Sequence, residues 1–255
     1  MNTRSLFLQP YIQVGLLLLA VIALYAGSLP APFVFDDIDF FADPRTLARY
    51  GAHFSLELRW LPYASLVRTT DWLGLDPSWL RLGNVLLHAA NAIALFFLLR
   101  RLFRVALAGA EAGAPSTPSD PRLASRGQDA QTGLAWFAFF GALIFAAHPV
   151  AVYGVAYLIQ RSTLMSTLFM LLMLLAYLEG LLRESRRWML AAALCYFAAV
   201  YSKEHSVAAP GVALALTMLL RKPSAALFRQ IAPFYMIAVL IAAAVVWSTI
   251  SSKGV

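Results

Sequence analysis

Apolar residues occur along most of this chain in long uncharged runs, and short polar segments separate the runs. A helix needs about 20 apolar residues to cross the hydrocarbon layer of a bilayer. The pattern therefore predicts an all-α polytopic membrane protein with about seven transmembrane helices. Two of them are short, and we expect those to tilt or to use flanking residues. The predicted spans are residues 11–29, 83–103, 133–147, 162–179, 188–201, 206–220 and 231–250.

The first apolar run, within residues 1–29, has an alternative interpretation. Arg4 precedes the run, and small residues follow it near Ala26 and Ser28. This order is also typical of a cleaved signal peptide. We interpret the segment as a retained first transmembrane helix, because the run is long and the rest of the chain is polytopic.

Two stretches are too polar to be spans. Residues 108–132 are rich in Ala, Gly, Pro and Ser without apolar periodicity, which predicts a flexible cytoplasmic linker. Residues 30–82 interleave aromatic residues with acids and arginines, which predicts an ordered extracytoplasmic loop with two or three interfacial helices. The second transmembrane helix then occupies residues 83–107, and five further helices occupy residues 133–255. Prolines at Pro44, Pro62 and Pro77 are the expected breaks in the loop helices.

The composition supports the membrane interpretation, and the distribution of cations explains the positive net charge. The chain is 61% hydrophobic and 13% charged, with a mean hydropathy of +0.71, which is too apolar for a soluble protein. If the N-terminus is cytoplasmic, the short outer loops after the first carry only Arg161 and Lys203, and most other cations lie inside. The net charge of +7 therefore reflects topology and indicates no nucleic-acid partner.

The segment FVFDDIDFF places Asp36, Asp37 and Asp39 among apolar residues directly after the first span. Desolvation and mutual repulsion raise the pKa of neighbouring carboxyls, which suits Asp36 or Asp37 to act as a general base. Two alternatives stay open: one of the pair caps a short helix, or the three carboxylates hold a divalent cation. Our preferred interpretation has no metal.

The second span carries a polar stripe, because Asn84, His88 and Asn91 follow helical spacing on one face. These side chains either line a cavity or form hydrogen bonds between packed helices. His148 precedes Pro149 at the outer end of the third span, where it is a candidate to contact a phosphate or to move a proton.

Two further outer segments are basic. Arg161 opens the fourth span, where a guanidinium opposes the helix dipole and is better suited to bind an anion. Lys203, Glu204 and His205 fill a tight turn between the fifth and sixth spans, which indicates a neutralised network or a phosphate site. The sequence contains no P-loop, GxGxxG, HExxH or GxSxG segment, which argues against soluble-nucleotide chemistry.

Several segments resemble the transmembrane and tetratricopeptide-repeat O-mannosyltransferases and their bacterial relatives, which are GT-C membrane glycosyltransferases. The resemblance runs from about Phe33 to Leu220 in the same order. Its most specific parts are the His-Pro followed by Gln-Arg-Ser and the Ser-Lys-Glu. The matching segments are FVFDD, RWLPYASL, WLRLGNVLLHAANAI, FAAHPV, YLIQRSTLMSTLFMLLMLLAY and YSKEHSVAAPGV.

The resemblance implies an enzyme that moves a sugar from a polyprenyl-phosphate donor to a hydroxyl of a protein or another acceptor. It implies an active face on the periplasmic side of a bacterial inner membrane and an inverting mechanism with Asp36 or Asp37 as base. Arg161, Lys203 and His148 would hold the donor phosphate. The supporting residues would be Glu204, which would orient Lys203, together with His205, His88, Asn84 and Arg59.

The chain departs from the family in two respects. It shows no 34-residue repeat, so we expect a truncated or split transferase, that is, a membrane module that works with a second membrane subunit. Leu61 precedes Pro62 where relatives often have Arg, and Arg59 stands two residues earlier. The competing hypotheses are a catalytically inactive GT-C-like subunit, serving as a scaffold or lipid-binding partner, and a transporter.

Overall fold

A computed structural model describes residues 10–112 and 121–252, and every regular element in these ranges is helical. Three 3₁₀ turns, Ala26–Ser28, Leu158–Gln160 and Glu204–Ala208, connect some of the helices. The α-helices are α1 (Pro10–Tyr25), α2 (Asp36–Ala42), α3 (Pro44–Ala52), α4 (Trp60–Leu73), α5 (Pro77–Ala112), α6 (Pro121–Ala147), α7 (Ala151–Ala156), α8 (Arg161–Arg183), α9 (Arg186–Ser202), α10 (Ala209–Leu220) and α11 (Ala225–Ser252).

Five helical segments in the described part of the chain are long and apolar enough to cross a membrane. They overlap five of the predicted spans, which confirms the all-helical fold and supports an integral membrane protein. The two spans predicted near residues 188–201 and 206–220 coincide with α9 and α10, which have 17 and 12 residues. The five segments are Pro10–Ser28, Pro77–Gly109, Ala130–Ala147, Leu158–Arg183 and Ala225–Ser248.

Helix α8 lies at the centre of the bundle. It packs along α9 and α5, while α5 also packs against α6 and α1. The main core lies between α8, α9 and α11, where Tyr177 and Phe234 are fully buried with ring centroids 5.0 Å apart. Outward-facing positions such as Leu219 and Trp247 are exposed and apolar, as lipid contact requires.

The first polar segment folds into α2, α3 and α4. Pro44 and Pro77 begin α3 and α5, since a first helical turn tolerates the missing N–H. Pro62 lies inside the first turn of α4 and does not break it. Asp43 caps α3 by accepting the amide hydrogens of Arg45 and Thr46, at 3.0 and 3.3 Å.

The linker predicted for residues 108–132 is largely replaced by helix in the described part. Helix α5 continues to Ala112, and α6 already begins at Pro121. The physical reason is local: alanine has the highest helix propensity, and proline is favoured in a first turn. Residues 113–120 of the predicted linker lie outside the described ranges.

Candidate functional site

Asp37 is fully buried, and its carboxylate joins the first polar segment to the start of α8. Its two oxygens accept the amide hydrogens of Leu158 and Ile159, at 3.2 and 3.0 Å. The first amides of a helical turn have no partner within the turn, so a carboxylate fits there. Burial raises the pKa of Asp37, while these amides and nearby Arg81 act in the opposite direction.

Arg81 also connects the first polar segment to the residues before α8, and it was not predicted from the sequence. Its buried guanidinium donates to the carbonyl oxygens of Ala156 at 3.0 Å and Leu29 at 3.2 Å. It also donates to the carbonyls of Ala31 and Pro32. A signal was present, because Arg81 precedes Asn84 by three residues and so continues the polar stripe of the second span.

Asp36, unlike its neighbour, is exposed, and an unusual backbone conformation precedes it. Phe35 has φ 51° and ψ −131°, a region that costs a non-glycine residue about 1–3 kcal/mol and that recurs at functional sites. The amide of Asp36 donates to the Tyr157 hydroxyl at 3.3 Å. Burial and a side-chain hydrogen bond to Asp36 raise the pKa of Tyr157 to about 12, so the phenol keeps its proton at neutral pH.

An apolar cavity of about 250 Å³ opens beside this acid. Its walls come from the first polar segment and from α7, with Phe35 and Tyr157 next to Asp36. Arg81 is the charged residue among those that line it. The cavity thus presents a largely apolar surface, and exposed Asp36 adjoins two of its lining residues, Phe35 and Tyr157.

Arg161 points into the protein and is 3% exposed. Its Nε donates to Asn84 Oδ1 at 2.8 Å, and Nη2 donates to the Leu80 carbonyl at 2.7 Å. Nη1 donates to the hydroxyls of Ser65 and Thr69, both at 3.3 Å. The predicted role of Arg161 as a direct phosphate ligand does not fit this geometry, because the guanidinium is inaccessible and its donors already have acceptors.

Lys203 follows the end of α9, and its partly buried side chain reaches the start of α8. Its Nζ donates to Gln160 Oε1 at 2.9 Å and to Thr163 Oγ1 at 2.7 Å. Burial, with a smaller effect of Arg59, lowers the pKa of Lys203. The amine contacts neutral oxygens, and among the described residues no carboxylate lies within ion-pair distance of it.

Glu204 pairs with Arg59 and does not orient Lys203, which corrects the sequence prediction. Arg59 Nε donates to Glu204 Oε2 at 3.0 Å, and Nη2 donates to Oε1. A guanidinium offers two parallel donors that match a carboxylate, which an ammonium does not. Arg59 itself has φ 65°, and its amide donates to the Tyr201 carbonyl at 2.8 Å.

A continuous set of contacts links the acidic and basic positions. The rings of Tyr157 and Tyr153 lie 5.5 Å apart, and Gln160 Nε2 donates to the Tyr153 hydroxyl at 3.0 Å. Gln160 also accepts from Lys203, while Tyr157 contacts Asp36. The turn between α7 and α8 therefore contacts Asp36 at one end and Lys203 at the other. Neither tyrosine was predicted from the sequence, because aromatic residues at a membrane boundary are common.

In the described part of the chain, four predicted positions make no direct hydrogen bond to Asp36 or Lys203. His148 is exposed, and its Nδ1 accepts the Val150 amide at 3.3 Å within its own turn. His205 is exposed as well. His88 and Asn84 are buried and bond to backbone carbonyls, with His88 Nε2 3.0 Å from the Ala146 oxygen. The geometry of His88 and Asn84 matches the helix-packing alternative better than a cavity lining.

The three acidic side chains of the first polar segment do not converge. Asp37 turns inward onto two amides, whereas Asp36 and Asp39 are exposed. Within the described ranges, no three His, Cys, Asp or Glu side chains form a group that could hold a metal ion. A divalent cation held jointly by Asp36, Asp37 and Asp39 would require the Asp37 carboxylate to leave the two amides.

The arrangement can do two things chemically. An exposed carboxylate beside an apolar cavity can accept a proton from a bound hydroxyl. An amine without a carboxylate partner can stabilise negative charge on an oxyanion. Comparison with known proteins gives no assignment, since no family model, no curated protein and no solved structure matches the chain.

Proposed function

We propose that this chain is a membrane glycosyltransferase of the GT-C class that uses a polyprenyl-phosphate sugar donor. The observation that carries the proposal is the connected arrangement of exposed Asp36, the turn between α7 and α8, and Lys203. It provides a base and a cation on either side of one short segment, which is what a sugar transfer with a phosphate leaving group requires. The order of motifs along the sequence supports the same class.

In the proposed reaction, Asp36 accepts the proton of the acceptor hydroxyl as its oxygen attacks the anomeric carbon. The bond from that carbon to the phosphate oxygen breaks, and the phosphate leaves with the electron pair. Lys203 stabilises the negative charge that develops there. Attack opposite the leaving group inverts the anomeric configuration without a covalent sugar intermediate. Asp37 and Arg81 position the base by fixing the backbone on both sides of it.

Our proposal places this face of the bundle outside the bacterial inner membrane, with the N-terminus in the cytoplasm. The distribution of cations supports that orientation. We count α9 and α10 as two further spans, because short helices cross when the bilayer thins locally or flanking residues reach the interface. The predicted acceptor is a protein or glycan hydroxyl, and the predicted partner is a second membrane subunit.

The test compares two neighbouring exposed carboxylates. The full chain is reconstituted in lipid nanodiscs with polyprenyl-phosphate mannose and a serine- and threonine-rich acceptor peptide, and both peptide glycosylation and donor consumption are followed. Asp36→Asn should lower turnover by about 10²- to 10⁴-fold, the usual contribution of a general base. Asp39→Asn removes the same charge three residues away and should retain turnover.

A second variant, Lys203→Gln, tests the proposed stabilisation of the phosphate leaving group. Loss of leaving-group stabilisation should lower turnover by about 10²-fold or more. If Asp36→Asn and Lys203→Gln both turn over donor like the unmodified chain, the proposed roles are refuted. If the unmodified chain consumes no donor from a panel of polyprenyl-phosphate sugars, the scaffold hypothesis replaces the enzyme.

A further inference from the structure

A second cavity, of about 430 Å³, lies at the opposite end of the bundle from Asp36. Helix α8 separates the two ends, and its 23 residues span about 34 Å at 1.5 Å per residue. The turn between α8 and α9, the turn between α10 and α11, and the first residues of α11 enclose the cavity. Its charged lining residues are Glu184, Arg186, Arg221, Lys222 and Arg229.

The positive charge of this cavity is largely uncompensated. Glu184 lies 3.9 Å from Arg221, and both side chains are solvent-accessible. In the described part of the chain, no carboxylate lies within ion-pair distance of Arg186, Lys222 or Arg229. Four cations therefore face one anion, and a bound anion would lower their mutual repulsion.

Two arginines beside the cavity, Arg101 and Arg183, differ from the lining cations because a carboxylate compensates them. Glu179 accepts from Arg183 Nε at 2.6 Å and from Arg101 Nε at 2.5 Å, so those two guanidinium groups share a carboxylate. Arg221 also has a fixed position, because its Nη2 donates to the Leu181 carbonyl at 3.2 Å. The first turn of α11 adds the positive end of a 28-residue helix dipole.

The cavity is close to the ends of membrane-length helices, where lipid headgroups are expected. It adjoins the ends of two membrane-length segments, Leu158–Arg183 and Ala225–Ser248. Trp188 is 40% exposed, and the guanidinium of Arg183 lies 6.0 Å from the centre of its ring. Phe228, in the first turn of α11, is 62% exposed. Aromatic residues beside cations are typical of the membrane–water interface.

We propose that this cavity binds the phosphate headgroup of an anionic membrane phospholipid. Basic pockets between membrane helices recognise such headgroups, and guanidinium groups bind phosphate oxygens in pairs. The exposed aromatic side chains would contact the upper part of the acyl chains. This proposal is independent of the sugar-transfer chemistry at the other end of α8.

The experiment uses the full chain in detergent with phosphatidylglycerol, phosphatidylcholine or inorganic phosphate as probe. Native mass spectrometry counts retained lipids, and thermal unfolding reports stabilisation by each probe. The test variant is Arg186→Gln with Lys222→Gln, which leaves the structural Arg221 in place. The matched control is Arg104→Gln with Arg187→Gln, two exposed arginines at the same end that do not line the cavity.

The expected result is preferential retention of phosphatidylglycerol over phosphatidylcholine by the unmodified chain and by the control. The cavity variant should bind phosphatidylglycerol at least about tenfold more weakly, since each basic residue near an anionic surface contributes a substantial part of the attraction. If the cavity variant and the control lose phosphatidylglycerol binding equally, the proposal is overturned, because diffuse surface charge then accounts for the binding. Stabilisation by inorganic phosphate alone would overturn the lipid assignment in favour of a soluble anion. Unchanged phosphatidylglycerol binding by the cavity variant would exclude the cavity as the binding site.

Discussion

The carboxylate of Asp37 accepts the amide hydrogen of Ile159 at 3.0 Å, across 122 residues of chain. With the bond to Leu158, this contact fixes the first polar segment against the start of α8. Asp36 and Asp37 therefore have different environments despite being neighbours: the Asp37 carboxylate is buried against two backbone amides, and the Asp36 carboxylate is exposed.

We predict that Asp37→Ala destabilises the protein by about 2 kcal/mol or more, because each buried donor left without an acceptor costs about 1–3 kcal/mol. Asp37→Asn should cost less, since its side chain keeps one acceptor oxygen. Thermal and denaturant unfolding of the protein in detergent measure both changes. Asp39→Ala, at an exposed position of the same helix, is the control and should leave stability nearly unchanged.

The ionisation of Asp37 should also appear in the pH dependence of stability. Burial raises its pKa above the usual 3.8, so the folded protein keeps this proton to higher pH than the unfolded chain. The stabilising contribution of this group is then complete below pH 3.8 and decreases as pH rises through the folded-state pKa.

Asp37→Asn has no such ionisation, so its stability should vary less with pH. The stability advantage of the unmodified chain over Asp37→Asn should shrink as pH rises from 3.8 through the raised folded-state pKa of Asp37. Thermal unfolding of both proteins at stepped pH measures this difference. An advantage that grows with pH would mean that the amides and Arg81 outweigh the burial of the charge.

Gly83 accommodates the Arg161 guanidinium. A methyl group at Gly83 would lie 2.6 Å from Arg161 Nη2, the nitrogen that donates to the Leu80 carbonyl. Gly83→Ala should therefore destabilise the protein by about 1–3 kcal/mol, the usual cost of overpacking. Gly15→Ala is the matched control in α1, because no heavy atom lies within 4 Å of its added carbon. Equal unfolding temperatures for the two variants in detergent would contradict the close contact.

The sequence was sufficient to predict the helical membrane class, because long apolar runs have few structural alternatives. It was less informative about α9 and α10. An apolar run indicates that a helix can cross the membrane there. The ends of that helix depend on local hydrogen bonds, which the run does not show. One such bond connects the Lys203 amide to the Ala199 carbonyl at 3.0 Å and closes α9 after Ser202.

For the candidate site, the sequence motifs indicated which segments come together. They did not indicate how the side chains of those segments are oriented. The segment of Asp37 contacts Ile159, and Lys203 contacts Gln160, so the acidic and basic segments do meet at the start of α8. The inward direction of Arg161 was not predictable, because it depends on the space left by Gly83. Residue spacing shows which residues share a helix face, but not which acceptors a distant helix presents to them.

The pairing of Glu204 with Arg59 can be tested directly. Glu204 and Arg59 form a two-bond ion pair, with side chains 42% and 39% exposed, while the Lys203 amine turns towards Gln160. A double-mutant cycle of Arg59→Gln and Glu204→Gln should give a coupling of about 0.5–1 kcal/mol, reduced by solvent screening. The matched cycle of Lys203→Gln and Glu204→Gln should give a smaller coupling of the same sign, because the two charges attract each other without a direct hydrogen bond. Unfolding of the single and double variants in detergent measures both values. A larger coupling in the second cycle would restore the hypothesis that Glu204 orients Lys203, and would leave Arg59 as the cation available to a phosphate.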